Sequence, residues 1–507
     1  MNQCTFFWRA MKYKLLILFF WISSPIMAQL SFSGQLRTRT EYRDGVGTLR
    51  MKSMDPAFFT SQRTRLTAAY KSSRVQFQAT LQDVRVWGQD ASTISANDGS
   101  KLGVHEAWAE ITLFNKSDST LAKWVDHLAL KVGRQELLYD DSRLLGNLDW
   151  LQQARRHDAI VLKMLHHGWR ADLGLAFNQN TDAFQYDGTY YTPANVLPYI
   201  KDSKGNVVAS PTGMIPTVNA QGYSSKSGSL AVLNPPSTNA LGQNYKSLQF
   251  LYVSKSFSSS KLTGLILSDQ FGAYTLDSTR NVAGKDTGYV FGRKYHSSLN
   301  HARFTYGLTL STMLEKSKKV QLNAGFFYQS GHDKEGLLLD AFTSTLAVSM
   351  QHKKMAYTLG WDYVSGNDAF SSSQLNHRFD PLYGTPHKFW GYMDYFYVAT
   401  GSPLGGLSNV YAKAKYISQN KRFSTGFDLH YFALANQQKQ LDGKPLDAYL
   451  GMELDWISTY TLNKSSQLEL GLCALSASDS MEYAKSLTPG SSLKNAHWAY
   501  LQLNILL

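Results

Sequence analysis

The chain is almost free of cysteine. Its 507 residues include two, Cys4 and Cys473, and the first falls in an N-terminal leader. A single remaining thiol can form neither an intramolecular disulfide nor a cysteine metal site. Long apolar runs are also missing. Behind the leader no stretch of about 18 apolar residues occurs, which excludes helical membrane spans; the mean hydropathy is −0.29. There is no HExxH, no GxSxG, no Walker loop and no paired metal-binding cysteines, so no catalytic motif and no cofactor is expected. A lyase would need a base and a charge neutraliser clustered in a cleft, and scattered histidines such as His105, His157 and His430 do not mark one. No basic helix or nucleic-acid recognition motif accompanies the formal charge of +13, so the preferred partners are other anions, not nucleic acid. Linkers and composition breaks are absent as well, although the length would suit two or three soluble domains.

The leader is well formed. Arg9, Lys12 and Lys14 precede an apolar stretch from Leu15 to Ile22, Ser23 to Pro25 break it, and Ala28 offers a small residue before Gln29. This pattern predicts a secretory signal peptide over 1–28, cleaved after Ala28, and a mature chain of 29–507.

The mature chain opens on a two-faced segment. From Leu30 to Arg43 the even positions carry Leu30, Phe32, Leu36 and Tyr42, and the odd ones carry Gln35, Arg37, Arg39, Glu41 and Arg43. A period of two is a β-strand, with one face fit for hydrocarbon and the other for water. The pattern recurs at 320–329, 423–431, 450–456 and 467–472, and the chain ends on another such strand, Tyr500 to Leu507. Charged residues facing lipid at mid-membrane cost about 2–4 kcal/mol, so the polar faces should line a lumen. Tyr245–Lys255 and Arg156–Leu165 are apolar on both parities, which predicts bulges or contacts with a plug.

Gaps between these segments alternate in length. Short ones fall near Ser72, His167, Ser258, Lys316, Lys353, Gln419 and Asn463, and from Asn115 to Val125. Long ones include 44–57, 84–102, 140–154, 179–244, 272–300, 365–406 and 477–495. The result is an all-β chain: a transmembrane antiparallel barrel of about 18 strands, with long extracellular loops and short periplasmic turns, in the outer membrane of a Gram-negative cell. Aromatic residues make up 13% of the chain, a richness that suits interfacial girdles.

Arg37, Arg39 and Arg43 on the first strand, Arg63 and Arg65 on the second, and Lys413 and Lys415 on a later one fall on lumen-type faces. Guanidinium groups bind carboxylates bidentately and stay charged, so these residues suit acidic solutes. Glu41, Glu106, Glu110, Asp172, Asp362, Asp428, Glu453 and Asp455 share such faces. Two arrangements are open: a basic wall opposite an acidic one, or charges that pair and stiffen the barrel. Asp140 and Asp141 could hold calcium or form a solvated turn; EF-hand spacing is absent.

The densest local pattern runs from Gly133 to Ala159, GRQELLYDDSRLLGNLDWLQQARRHDA. It resembles the alginate-export family of outer-membrane porins in Gly133–Leu137, Asp141, Arg143, Leu144, Gly146, Asp149, Trp150, Gln153–Arg155 and Asp158. His157 stands where that family more often has an aromatic, and Leu507 where outer-membrane proteins more often end in one. The resemblance implies an 18-stranded barrel with a narrow, arginine-lined pore that conducts alginate, a polyuronate. It implies no enzyme, and as partners the anionic polysaccharide, outer-membrane lipid and the barrel-assembly machinery. A general porin for other small solutes is the alternative, and a β-rich polysaccharide-processing enzyme a more distant one. Segment 141–158 is expected to fold at the pore mouth, where Arg134, Arg143, Asp149, Arg155, Arg156 and Asp158 would help set the constriction. Arg134 shares parity with lipid-type Leu128, Leu130 and Val132, so it needs either a bulge at Gly133 or a place above the hydrocarbon.

Overall fold

A computed structural model describes residues 29–88, 102–116, 125–178, 196–232, 245–280, 287–317, 319–396 and 402–507. The expected leader lies outside them. Eighteen antiparallel strands close into one barrel. In chain order they are β1 Gln29–Asp44, β2 Ala57–Lys71, β3 Val75–Val86, β4 Gly103–Asn115, β5 His127–Gln135 and β6 His157–His166. Next come β7 Trp169–Phe177, β8 Ser247–Ser256, β9 Ser260–Arg280, β10 Tyr289–Glu315, β11 Val320–His332 and β12 Leu338–His352. The last six are β13 Met355–Val364, β14 Leu407–Ile417, β15 Phe423–Ala433, β16 Tyr449–Asn463, β17 Ser466–Ala477 and β18 Asn495–Leu506. Each pairs with its sequence neighbour. The seam is β1 on β18, from Gln35 opposite Leu506 to Asp44 opposite His497. Leu507 completes it: its N–H donates to the Gly34 carbonyl at 2.9 Å, and the Gly34 N–H donates back at 3.1 Å. Closure leaves no edge strand, which a lipid environment requires.

Parity decides which side each residue takes. Phe32, Leu66, Leu308, Leu359 and Leu454 point outward and are exposed on the apolar wall, whereas Arg37, Arg39, Arg63, Asp362, Asp455 and His430 point inward and are buried. No helix among the described residues is long and apolar enough to cross a membrane; the spans are strands.

Two expectations change. The gap 272–300 is mostly strand: β9 and β10 run on for 21 and 27 residues. A bulge between Gly272 and Tyr274 resets their register, and Tyr274 then faces Tyr295. A short strand, Ile215–Val218, pairs with β10 through Ile215 and Arg293 and braces this extension. The mixed-parity strands β6 and β8 contain no register shift; of the two expected causes, contact with a plug is the one observed.

That plug is the second layer of the fold. The segments 136–156 and 365–396 turn inward and meet inside the lumen. The Tyr383 N–H donates to the Leu144 carbonyl, and the Gly146 N–H to the Tyr383 carbonyl, both at 3.0 Å. Leu144, Leu145, Phe379, Leu382, Tyr383, Trp390, Met393 and Tyr395 are buried there with Phe250 and Tyr252 of β8. Tyr139 meets Phe250 edge-on at 5.2 Å. The fold predicts heat-modifiable migration on a gel. It also predicts that Leu454→Arg, outward on β16, costs about 2–4 kcal/mol in denaturant unfolding from lipid vesicles. An unchanged midpoint would place Leu454 off the lipid face.

Candidate functional site: an arginine ladder against an inward loop

The β1–β2 register sets Arg37 directly opposite Arg63, and Gln35 opposite Arg65. Like charges facing each other across a strand pair repel. The counter-charge comes from the loop: Asp149 places its carboxylate over the pair. Its Oδ1 accepts from Arg63 Nη1 at 2.7 Å and Arg65 Nη1 at 3.1 Å, and its Oδ2 accepts from Arg63 Nη2 at 3.1 Å and Arg37 Nη1 at 3.2 Å. The Arg63 contact is the bidentate fork that guanidinium makes with a carboxylate. Burial alone would raise the Asp149 carboxyl. The Arg63 hydrogen bond and charge, then the Arg37 and Arg65 charges, outweigh burial and hold it below its ordinary value.

The rest of the loop completes the contact. Arg37 Nε donates to Gln152 Oε1 at 3.0 Å and its Nη2 to the Leu151 carbonyl at 3.2 Å. Arg39 Nη1 donates to the Trp150 carbonyl at 3.0 Å, and its guanidinium lies 4.1 Å from the Trp150 ring centroid. His387 of the second inward loop stacks on that ring, also at 4.1 Å, so Trp150 contacts both the guanidinium and the imidazole. Arg39 Nε also donates to Glu41 Oε1 at 3.0 Å, and Arg43 reaches Glu41 Oε2 at 2.7 Å. Arg37, Arg39 and Arg63 are consequently buried.

The other expected residues divide. Arg143 joins the loops to the far wall through Asp362 at 3.1 Å and packs over Phe389. Arg155, buried, donates to the Gly384 carbonyl at 2.8 Å and ties one inward loop to the other. Lys413 pairs with Asp428 at 2.6 Å, and Lys415 faces the lumen, exposed. Arg134 and Asp158 do not line the pore. They pair at 2.8 Å as cross-strand neighbours on the outward parity of β5 and β6, beside exposed Val132 and Ile160. Gly133 adopts φ +120° without a register shift in β5, and a Cβ there would meet the Ala107 carbonyl oxygen at 2.3 Å. No bulge turns Arg134 inward. Arg156 lies half-buried at the root of β6, where burial, then the Arg134 charge, draws it down to about 10.

Of the two arrangements open for the lumen charges, pairing accounts for most. Lys163 holds Glu110 at 2.6 Å and Arg170 holds Asp172 at 2.5 Å. Glu106, Glu453 and Asp455 are the exceptions among the described residues: Glu106 accepts from neutral side chains, and Glu453 and Asp455 receive backbone N–H groups of Met393 and Tyr392 and anchor the second inward loop. His105, Glu106 and Glu136 bring ligand-type atoms within 4.8 Å of one another. Yet both Glu106 oxygens are taken by Trp108 and Gln78, and both Glu136 oxygens by His105 and Asn147. That network braces the root of the loop. Asp140 accepts from Tyr252, Lys261 and Thr263, so protein donors fill the place suggested for calcium. Sequence reading missed Gln152, His387, Lys388 and the whole inward course of 365–396. One signal was present: FWGYMDYFY at 389–397 is too aromatic for a solvated loop.

A closed 18-stranded antiparallel barrel with two inward loops has a porin-type fold. Within it, residues 28–179 match the family model described as alginate export, the segment that holds β1, β2 and the Asp149 loop. OpdO of Pseudomonas aeruginosa shares the fold at a TM-score of 0.54 with 11% identity, over 94% of this chain and 97% of that one. OccAB4 of Acinetobacter baumannii does so at 0.54 with 12% identity, over 96% and 100%. The outer membrane protein opdK of Pseudomonas aeruginosa aligns at 0.50 with 10% identity, over 94% and 99%. No curated protein matches the chain.

A carboxyl held below its ordinary value stabilises the closed loop at neutral pH. That contribution is lost as pH falls through the lowered value, beneath the ordinary carboxylate range. Single-channel conductance should therefore step up on acidification below that range. Asp149→Asn should conduct more at pH 7 and lack the step; the same step in both proteins would show that Asp149 does not hold the loop in place.

Proposed function

We propose that the chain is a passive outer-membrane channel for anionic oligosaccharide or polysaccharide, of the alginate-export type. The observation that carries this reading is the convergence of Arg37, Arg63 and Arg65 on one carboxylate. A site that binds the carboxylate of its own loop suits the carboxylate of a uronic acid by the same geometry. Rings of fixed charge select ions by sign. The family match over the same segment supports the substrate class, because alginate is a chain of such carboxylates.

Transport here requires no chemistry. The ladder attracts the acid, Asp149 yields its place, and the solute passes between β1–β2 and the inward loops. The leader over 1–28 directs export and is removed after Ala28, so N-terminal sequencing of the membrane-inserted protein should begin at Gln29. The barrel-assembly machinery then inserts the chain, with long loops outward and short turns in the periplasm.

In planar bilayers under a salt gradient the reversal potential should show anion preference, and oligouronates should block the current. Arg63→Ala removes the bidentate contact and should weaken block about tenfold or more, since hydrogen bonds between charged groups contribute about 1.5–3 kcal/mol. Clear cation preference, or block equal for neutral and acidic oligosaccharides, would overturn the proposal.

A further inference from the structure

Beneath the inward loops, on the side of the barrel away from the ladder, lies a cavity of about 510 Å³. Its size falls within the range of small-ligand sites, about 300–1,000 Å³. One wall is made by β9 to β13 and carries short hydroxyl and amide side chains: Thr309, Asn323, Thr345, Ser349 and Thr358. Several of these lie close to the short turns, so the cavity occupies the short-turn half of the barrel. The inward loops form its roof through Arg143, Lys388 and Phe389.

Its charges are not equivalent. Lys261 is paired with Asp140 at 3.0 Å, Lys413 with Asp428 at 2.6 Å, and Arg143 with Asp362 at 3.1 Å. Lys388 is exposed, and its ammonium donates only to the backbone carbonyl of Asp141, at 3.2 Å. Among the described lining cations it alone has no carboxylate partner. A cavity that presents short hydroxyl side chains along one wall, with Thr309 bonded to Thr263 at 2.6 Å, and at its roof an ammonium with no carboxylate partner among the described residues matches a polyhydroxylated carboxylate. The wall can exchange hydrogen bonds with sugar hydroxyls, and the ammonium can hold the acid.

We propose that this cavity is a second sugar-acid site, a vestibule in which one to a few uronic-acid residues are held before they reach the arginine ladder, with Lys388 as its specificity-determining residue. The inference rests on the reading of the channel as one for anionic saccharides, and adds to it a place of first capture that the ladder residues do not share. The roof belongs to the loops that must move for passage, so occupancy below and displacement of Asp149 above are linked through 136–156 and 365–396.

Calorimetric titration of the full chain in detergent with a mannuronate trimer tests it. Lys388→Gln should weaken binding about tenfold, Lys388→Arg should retain most of it, and Thr358→Val should weaken it less than Lys388→Gln. Lys444→Gln, on an exposed long loop, serves as the charge control and should change nothing. Unchanged affinity in both Lys388→Gln and Thr358→Val, with heat-modifiable migration intact, overturns the vestibule and leaves the channel reading standing. Equal affinity for inorganic phosphate and the trimer also overturns it. A wild-type protein that neither binds the trimer nor is blocked by it in bilayers fails at the channel reading itself.

Discussion

Two arginines face each other across the first strand pair, and much of the interior follows from what neutralises them. Arg37 opposite Arg63, with Arg65 one step away, is a repulsive arrangement in a half-buried lumen. Asp149 resolves it, but only if segment 136–156 folds inward. Once there, its backbone carbonyls and Gln152 take up the remaining guanidinium donors, and Tyr383 and Gly384 of the second loop zip against it. The apolar residues of both loops then bury one another under β8. A cluster of like charge on the wall thus organises a plug.

The same interaction makes the plug conditional. A salt bridge to an arginine ladder can be replaced by any acid that offers equivalent geometry, whereas an apolar seal cannot. Asp149 is the partly exposed member of the set, its side chain 39% accessible, while Arg63 is fully buried. The loop carboxylate is the partner that solvent reaches, and the wall guanidinium is enclosed.

The barrel was legible in the sequence because a two-residue period and alternating gap lengths are backbone properties, independent of what fills the lumen. Strand number, the short turns and the seam-closing last strand all follow from them. The placement of Arg37, Arg39, Arg63 and Arg65 on one inner face was legible for the same reason. The partners were not. Asp149 reaches the ladder across more than 80 positions of chain, and no local pattern encodes that contact. Arg134 and Asp158 show the opposite failure: motif membership suggested the pore, whereas strand parity, the physical cue, pointed outward and was right. The extension of β9 and β10 was hidden by polar and glycine residues that read as loop but pair as strand.

The loop carboxylate occupies the ladder, and under the proposed function it must leave for solute to pass. Gln152 Nε2 lies 2.9 Å from Ser61 Oγ, so cysteines at these two positions, with Cys473 replaced by Ala, can be bridged by a short cleavable thiosulfonate cross-linker. Flux of a uronate trimer into liposomes should stop when the loop is bridged to β2 and return when the bridge is reduced. Equal flux in the bridged and reduced states would contradict the account.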